Sequence, residues 1–437
     1  MSTTDLSSNC KPIKTYWLLS CVAWLLFASA ASWAVIGMDQ KVFEQMQRVQ
    51  EAAEAEDYAA AHALLNHLMA RSLNDHELAQ VKNLEGNIFT MEKKYPQAVA
   101  SFEAVVAASN IPDGLRQSAL LVLVQLQMVA ENYPQAIAYS EQLLQIKQQP
   151  DSNLLALRAQ CFYHQEDYPR AEAAIKSAID VEQAAGGRAR ENWLLLLNAI
   201  YHFRSDYQAM VPVLDQLIRD YPKDKYVYNL AAVYGQLEQL QKQLLLLEPL
   251  YESGYLNNKS QVLLLAQLFI AEGVPAKAAR VLERELNWRD VGAGEFGVGG
   301  EAPAAGWLAE QRDLELLAQA WTLAKEPKRA IAPLTRAAAM AEDGNSSLRL
   351  AHTYISVVDW AGAAVAIEQA LAKGGLHDKG NALVLLGMAQ YRQKQFTAAI
   401  ETFARAQGFK SVAKMSEQWL TYVRGQQQKT ELAEVAR

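Results

Sequence analysis

The chain has 437 residues, 51% of them hydrophobic and 20% charged, with 22 Gly, 13 Pro and a formal charge of −7. Those proportions exclude a collagen-like or disordered chain, and three cysteines, at 10, 21 and 161, are too few to staple a disulfide scaffold. The acidic balance and the lack of any basic block argue against nucleic acid, which is held largely by phosphate neutralisation. Length alone, at ~150 residues per domain, would suggest about three domains.

Residues 16–38 contain no charged side chain, with Lys11 and Lys14 before them and Asp39 after. This pattern predicts an export signal or an anchor over residues 1–34. The densest apolar stretch, residues 16–27, would make about 18 Å of helix, short of a ~30 Å hydrocarbon core. Small residues offer cleavage after Ala30 or Ala34, as in a signal peptide. The full run would reach about 34 Å and could also span uncleaved, so membrane contact is expected only through an uncleaved N-terminal segment. With the lysines kept on the cytoplasmic side, either outcome exports the rest of the chain: periplasmic, or anchored in the inner membrane and facing the periplasm. Leu18-Leu19-Ser20-Cys21 loosely resembles a lipoprotein cleavage site, but apolar sequence continues after it. Cys161, flanked by Ala159 and Phe162, is expected to be a small core residue.

The rest of the chain repeats one element: an aromatic residue, often followed by Pro, with Ala three positions on. It begins at Tyr58, Tyr95, Tyr133, Tyr168, Trp360 and Phe396, with weaker copies at Tyr207, Leu240, Val274 and Pro327. The successive spacings are 37, 38, 35, 39, 33, 34, 53, 33 and 36, so all but one approximate a single helix–turn–helix unit. Pro after the aromatic suits the start of a helix, and Asp57, Asn132, Asp167, Asp206 and Asp359 stand where a cap belongs. The helix before each aromatic carries a small-then-large pair, as in Gly86 with Phe89, Ala159 with Phe162 and Ala318 with Trp321. A small residue on one helix that receives a bulky one from its neighbour predicts close helix packing.

These features resemble the tetratricopeptide repeat family, whose pattern of a small residue, an aromatic, Ala, and a further large residue is met by Gly86, Phe89, Ala98 and Phe102. Val124, Gln127, Asn198, Met210, Gln243 and Gln390 depart from it. The resemblance implies an all-α fold: a tetratricopeptide-type helix–turn–helix solenoid, wound as a right-handed superhelix, with a C-terminal capping helix. About seven repeats are expected over 41–286, a Gly-rich insertion at 287–306, about three more repeats over 307–408, and a capping helix with tail over 409–437, helical from Val412 to about Gln427. The local wording of Leu84-Glu85-Gly86-Asn87, Ala318-Gln319-Ala320-Trp321 and Leu386-Gly387-Met388-Ala389 further resembles periplasmic repeat proteins that accompany TonB–ExbB–ExbD systems. TonB, ExbB or ExbD components are the partners that this likeness implies.

Chemistry is scarce. The insertion contains a G-x-G-x-x-G match at residues 292–297, but the fingerprint needs a preceding strand inside a βαβ unit, and helices precede it here. The seven histidines form no i, i+4 pair, and no H-E-x-x-H, C-x-x-C, G-x-S-x-G or Walker loop occurs. No catalytic residue, metal site or cofactor is therefore expected; an enzyme with its site in the insertion is the remaining catalytic alternative. The concave face of a solenoid is built mainly from the first helix of each hairpin. Projecting that helix predicts partner-binding residues at Asn83, Asn87, Gln125, Asn153, Gln160, Tyr163, Asn192, His202, Gln267, Gln319, His352 and Asn381. Amides offer donor and acceptor together, so a row of them can pair with an extended peptide backbone. The reading is an exported protein-interaction scaffold in a TonB-dependent transport system, or else a membrane-anchored envelope-assembly or chaperone-type factor of the same fold.

Overall fold

The computed structural model describes residues 38–147, 149–287 and 310–435. Residues 16–37 of the N-terminal charge-free run, Cys10, Cys21 and residues 288–306 of the Gly-rich stretch lie outside the described residues. The chain divides into two units, Met1–Pro222 and Lys223–Arg437. In the first unit, α1 (Gln40–Glu54) pairs with α2 (Tyr58–Met69), α3 (Asp75–Met91) with α4 (Tyr95–Ala107), and α5 (Asp113–Val129) with α6 (Tyr133–Ile146). The remaining pairs there are α7 (Ser152–His164) with α8 (Tyr168–Ala184) and α9 (Glu191–Phe203) with α10 (Tyr207–Asp220). In the second unit, α11 (Asp224–Gln236) pairs with α12 (Leu240–Glu252), α13 (Lys259–Ala271) with α14 (Pro275–Asn287), and α15 (Gln311–Leu323) with α16 (Pro327–Met340). Then α17 (Asn345–Ser356) pairs with α18 (Trp360–Lys373) and α19 (Lys379–Arg392) with α20 (Phe396–Ala406), before a terminal α21 (Ala413–Val435). Among the described residues there is no strand.

Every hairpin turns in the same way. One residue of each turn has positive φ: Glu56, Lys93, Glu131, Glu166, Ser205, Glu238, Gly273, Lys325, Val358 and Lys394. The N–H of the residue after it reaches back to a carbonyl five positions earlier, from Asp57 to Ala52 through to Gln395 to Gln390, at 2.8–2.9 Å in all ten turns. This is the Schellman end of a helix, which satisfies carbonyls that would otherwise lack a donor. Only one of the ten positions is glycine, although the left-handed conformation costs an ordinary residue about 1–2 kcal/mol. The second helix opens on the aromatic itself, with Pro96, Pro134 and Pro169 one residue further in. Asp57, Asp167, Asp206 and Asp359 accept from the N–H three residues on, while Asn132 makes no such bond. The turn also corrects one register: Gly273 puts Pro275, not Val274, in the aromatic's place, with buried Ala278 three positions beyond.

Packing follows the small-to-large expectation. A Cβ on Gly86 would stand 2.8 Å from the Phe102 ring, and one on Gly387 would stand 2.8 Å from the Phe403 ring. The Ala three positions into the second helix is fully buried at Ala61, Ala98, Ala136, Ala171, Ala278, Ala330, Ala363 and Ala399. Gln243 holds that slot in the α11–α12 hairpin, and there the facing residue is Gly235, where a Cβ would lie 2.7 Å from the Gln243 amide nitrogen. Helices α14 and α15, on either side of residues 288–309, pack against one another. The Trp321 indole donates to Glu283 at 3.1 Å, and Arg329 lies 3.5 Å over the Trp321 ring while pairing with Glu283 at 2.7 Å. At the C-terminal end, Trp419 of α21 stacks on Phe403, centroids 5.5 Å apart. That helix covers the last hairpin and runs on to Val435, eight residues beyond the expected Gln427. Among the described residues no helix is long and apolar enough to cross a membrane.

Candidate peptide-binding faces

The left-handed turn residues give each hairpin a common register, and this sorts the expected partner-binding residues. Six positions before the turn residue stand Asn87, Gln125, Gln160, Gln267, Gln319 and His352; thirteen before stand Asn153, Asn192 and Asn381. Asn83 stands ten before, and Tyr163 and His202 three before. At 3.6 residues per turn these four positions fall within about 80° of the helix circumference, so they share one side of each first helix. None of the twelve is buried, and Asn153, Asn192, Gln267, Gln319 and His352 are exposed. Eight belong to the first unit and Gln267, Gln319, His352 and Asn381 to the second. First helices of neighbouring hairpins touch directly at α1 with α3 and at α7 with α9.

The same register finds residues that the sequence projection missed. Gln50 of α1 sits six before Glu56, is exposed, and donates to Glu54 at 2.9 Å; its signal was its place eight residues before Tyr58, as Asn87 is before Tyr95. Tyr391 sits three before Lys394, the position held by Tyr163 and His202. Glu315, ten before Lys325, is a charged group in Asn83's position, and no local pattern announces its partners. Burial opposes ionisation of its carboxyl, but hydrogen bonds from Gln311 and Ser346 and the charge of Arg349, 3.0 Å away, outweigh that and lower its pKa.

Tyr163 and His202 come together through a third ring. Phe203 lies 5.8 Å from Tyr163 and 6.0 Å from His202, both edge-on, and stacks on Tyr168 at 5.6 Å. Tyr163 also meets His164 at 5.7 Å, and His164 stacks on Tyr133 at 4.8 Å. Six rings thus run across the turn ends of three successive hairpins. Cys161, in contrast, is fully buried, and burial pushes its thiol up to about 12, which makes it a core group rather than a nucleophile. Among the described residues no three His, Cys, Asp or Glu side chains come together in a way that could hold a metal ion.

The tetratricopeptide repeat family matches residues 121–189 and 348–413, which cover α6 to α8 and α18 to α20 with parts of α5 and α17. Residues 121–189 and 348–413 carry tetratricopeptide repeats. Such repeats are protein-interaction modules, stacked so that neighbouring hairpins build one extended surface. No curated protein matches the chain. Among solved structures, the C-terminal part of a tetratricopeptide repeat-containing protein from Cytophaga hutchinsonii is 13% identical, covering 68% of this chain and 95% of that one, with a TM-score of 0.38. A tetratricopeptide repeat protein from Parabacteroides merdae is 16% identical over 62% of this chain and 98% of that one, with a TM-score of 0.30. The TPR2AB domain of yeast Sti1, in its pHSP90 complex, is 15% identical over 71% of this chain and 99% of that one, with a TM-score of 0.23. All three superpose weakly, and it is the family match and the order of the helices that carry the fold.

Proposed function

We propose that this tetratricopeptide repeat protein is an exported scaffold that holds extended peptide segments along the first-helix faces of its hairpins, and that it serves a TonB–ExbB–ExbD system in the periplasm. The observation that carries the binding reading is the recurrence of Gln or Asn six positions before the turn residue, at Gln50, Asn87, Gln125, Gln160, Gln267 and Gln319. Each amide offers one donor pair and one acceptor at a common height on its helix, which suits the alternating N–H and C=O groups of an extended chain. Affinity would then be spread over several hairpins, without demand for one sequence. Export rests on the charge-free residues 16–38 behind Lys11 and Lys14, and the TonB assignment on the likeness of local sequence to the repeat proteins of those systems.

Replacing Asn87, Gln125 and Gln160 together by Ala should weaken an extended peptide at least tenfold, given about 0.5–1.5 kcal/mol per hydrogen bond. Unchanged affinity would remove the amide row from the mechanism. Crosslinking in intact envelopes should recover TonB, ExbB or ExbD; their absence, where other envelope partners are captured, would overturn the TonB assignment. Protease added to spheroplasts should digest the repeats if the chain is exported and spare them if it is not.

A further inference from the structure

The ring cluster of the first unit differs in character from the amide row beside it. Phe203 is 53% exposed although it stacks on Tyr168 and makes edge contacts with Tyr163 and His202. The cations nearby are already engaged: Arg170 pairs with Asp167 and lies 4.7 Å over the Phe162 ring, and Arg204 pairs with Glu172. Glu131 and Glu166, the exposed left-handed residues of the α5–α6 and α7–α8 turns, form no ion pair among the described residues. Their charge reaches the rings. After burial, Glu131 is the next cause that raises the Tyr133 hydroxyl, and Glu166 that of Tyr168. Burial lowers the His164 pKa in spite of Glu131, so that ring adds no positive charge at neutral pH. The exposed ring of Phe203 and two unpaired carboxylates act with the same sign.

We propose that the cluster of Tyr163, Tyr168 and Phe203, with Glu131 and Glu166, is a subsite for one basic side chain, Arg or Lys, of the bound peptide. This rests on the peptide-binding reading above and adds a specificity that the amides lack: the amides grip backbone, and the cluster selects a cation. The ammonium or guanidinium would lie on the exposed part of the Phe203 ring, in the field of the carboxylates beside Tyr133 and Tyr168, a cation–π contact helped by charge.

The test uses the full chain and two labelled, otherwise neutral extended peptides, one with a central Arg and one with citrulline in its place, which has nearly the same shape and no charge. The Arg peptide should bind about three- to fivefold more tightly at 0.15 M salt, and less so at 0.5 M. Phe203→Leu, which keeps an apolar side chain without a π face, and Glu131→Gln with Glu166→Gln, should each bring the two peptides to parity. The Asn87, Gln125, Gln160 triple variant should weaken both peptides alike. Equal affinity of the two peptides for the wild-type chain, or an Arg advantage that survives both variants, overturns the subsite while leaving the peptide-binding reading intact. If neither peptide binds, titration with N-acetyl-argininamide against its citrulline analogue decides. Shifts of the aromatic NMR signals of Phe203 and Tyr168 with the first alone support the subsite and count against the amide row. No shift with either overturns both.

Discussion

In the α3–α4 hairpin of the first unit, Gly86 gives room to the Phe102 ring, whereas in the α11–α12 hairpin of the second unit, Gly235 gives room to the Gln243 side chain. The first hairpin has family residues in every slot. The second carries Gln where the family has Ala, and loses a Cβ eight residues earlier, on the facing helix. The close approach of two helices therefore fixes the combined bulk of a facing pair rather than the identity of either member. The two pairs differ in stiffness as well. A phenyl ring held at full burial cannot withdraw, while the end of a Gln side chain can swing.

Breaking the stiffer pair should have the largest effect. Phe102→Ala removes a fully buried ring and should cost about 3–5 kcal/mol, read as lost hydrogen-exchange protection in α3 and α4, since a repeat array need not unfold in two states. Gly86→Ala drives a methyl group into the same ring and should cost about 1–3 kcal/mol by that measure. Gly235→Ala should cost less, and adding Gln243→Ala should recover most of the loss; a double variant no better than the sum of the single ones would dismiss the paired-slot account. Relieving the turn of a β-branched residue sharpens the comparison from the other side. Val358, with φ of 65°, should gain about 1 kcal/mol on replacement by Gly, seen as slower exchange in α17 and α18. The smallest effect concerns Cys161. Its thiol is held protonated in the fold and not in the unfolded chain, so stability from this group is complete below pH 9 and declines as pH rises toward about 12. A Cys161→Val variant should show a shallower decline over that range, and the wild-type thiol should resist alkylation until the chain is unfolded.

Much of the fold could be read from residue spacing. An aromatic with Ala three positions on, recurring at 33–39 residues, is enough to phase both helices of a hairpin, because each apolar stripe has to meet its neighbour at the helical period. The left-handed turn residues could not be read so, since nine of the ten are not glycine but mostly Glu or Lys, types common throughout the helices. Without that marker the copy at Val274 falls one residue early. With it, Gln50 joins the amide row and the twelve projected residues fall into four positions of one helix side. The ring cluster was half visible: Tyr163 and His202 came from register and Tyr168 from the repeat itself, but Phe203 and Glu131 join Tyr163 only from neighbouring hairpins.

By itself, then, the sequence determined that this is an all-helical repeat chain, and where the second helix of each hairpin begins to within a residue. Those properties are local, set by caps, by period and by the pairing of small with large side chains a few residues apart. Only the tertiary structure decided that α14 and α15 pack together across residues 288–309, that Gly235 answers Gln243, and that six rings from three hairpins meet beside two unpaired carboxylates. These depend on which surfaces are brought within a few ångströms by stacking. A contact between residues on separate helices leaves no period in the chain from which it could be read.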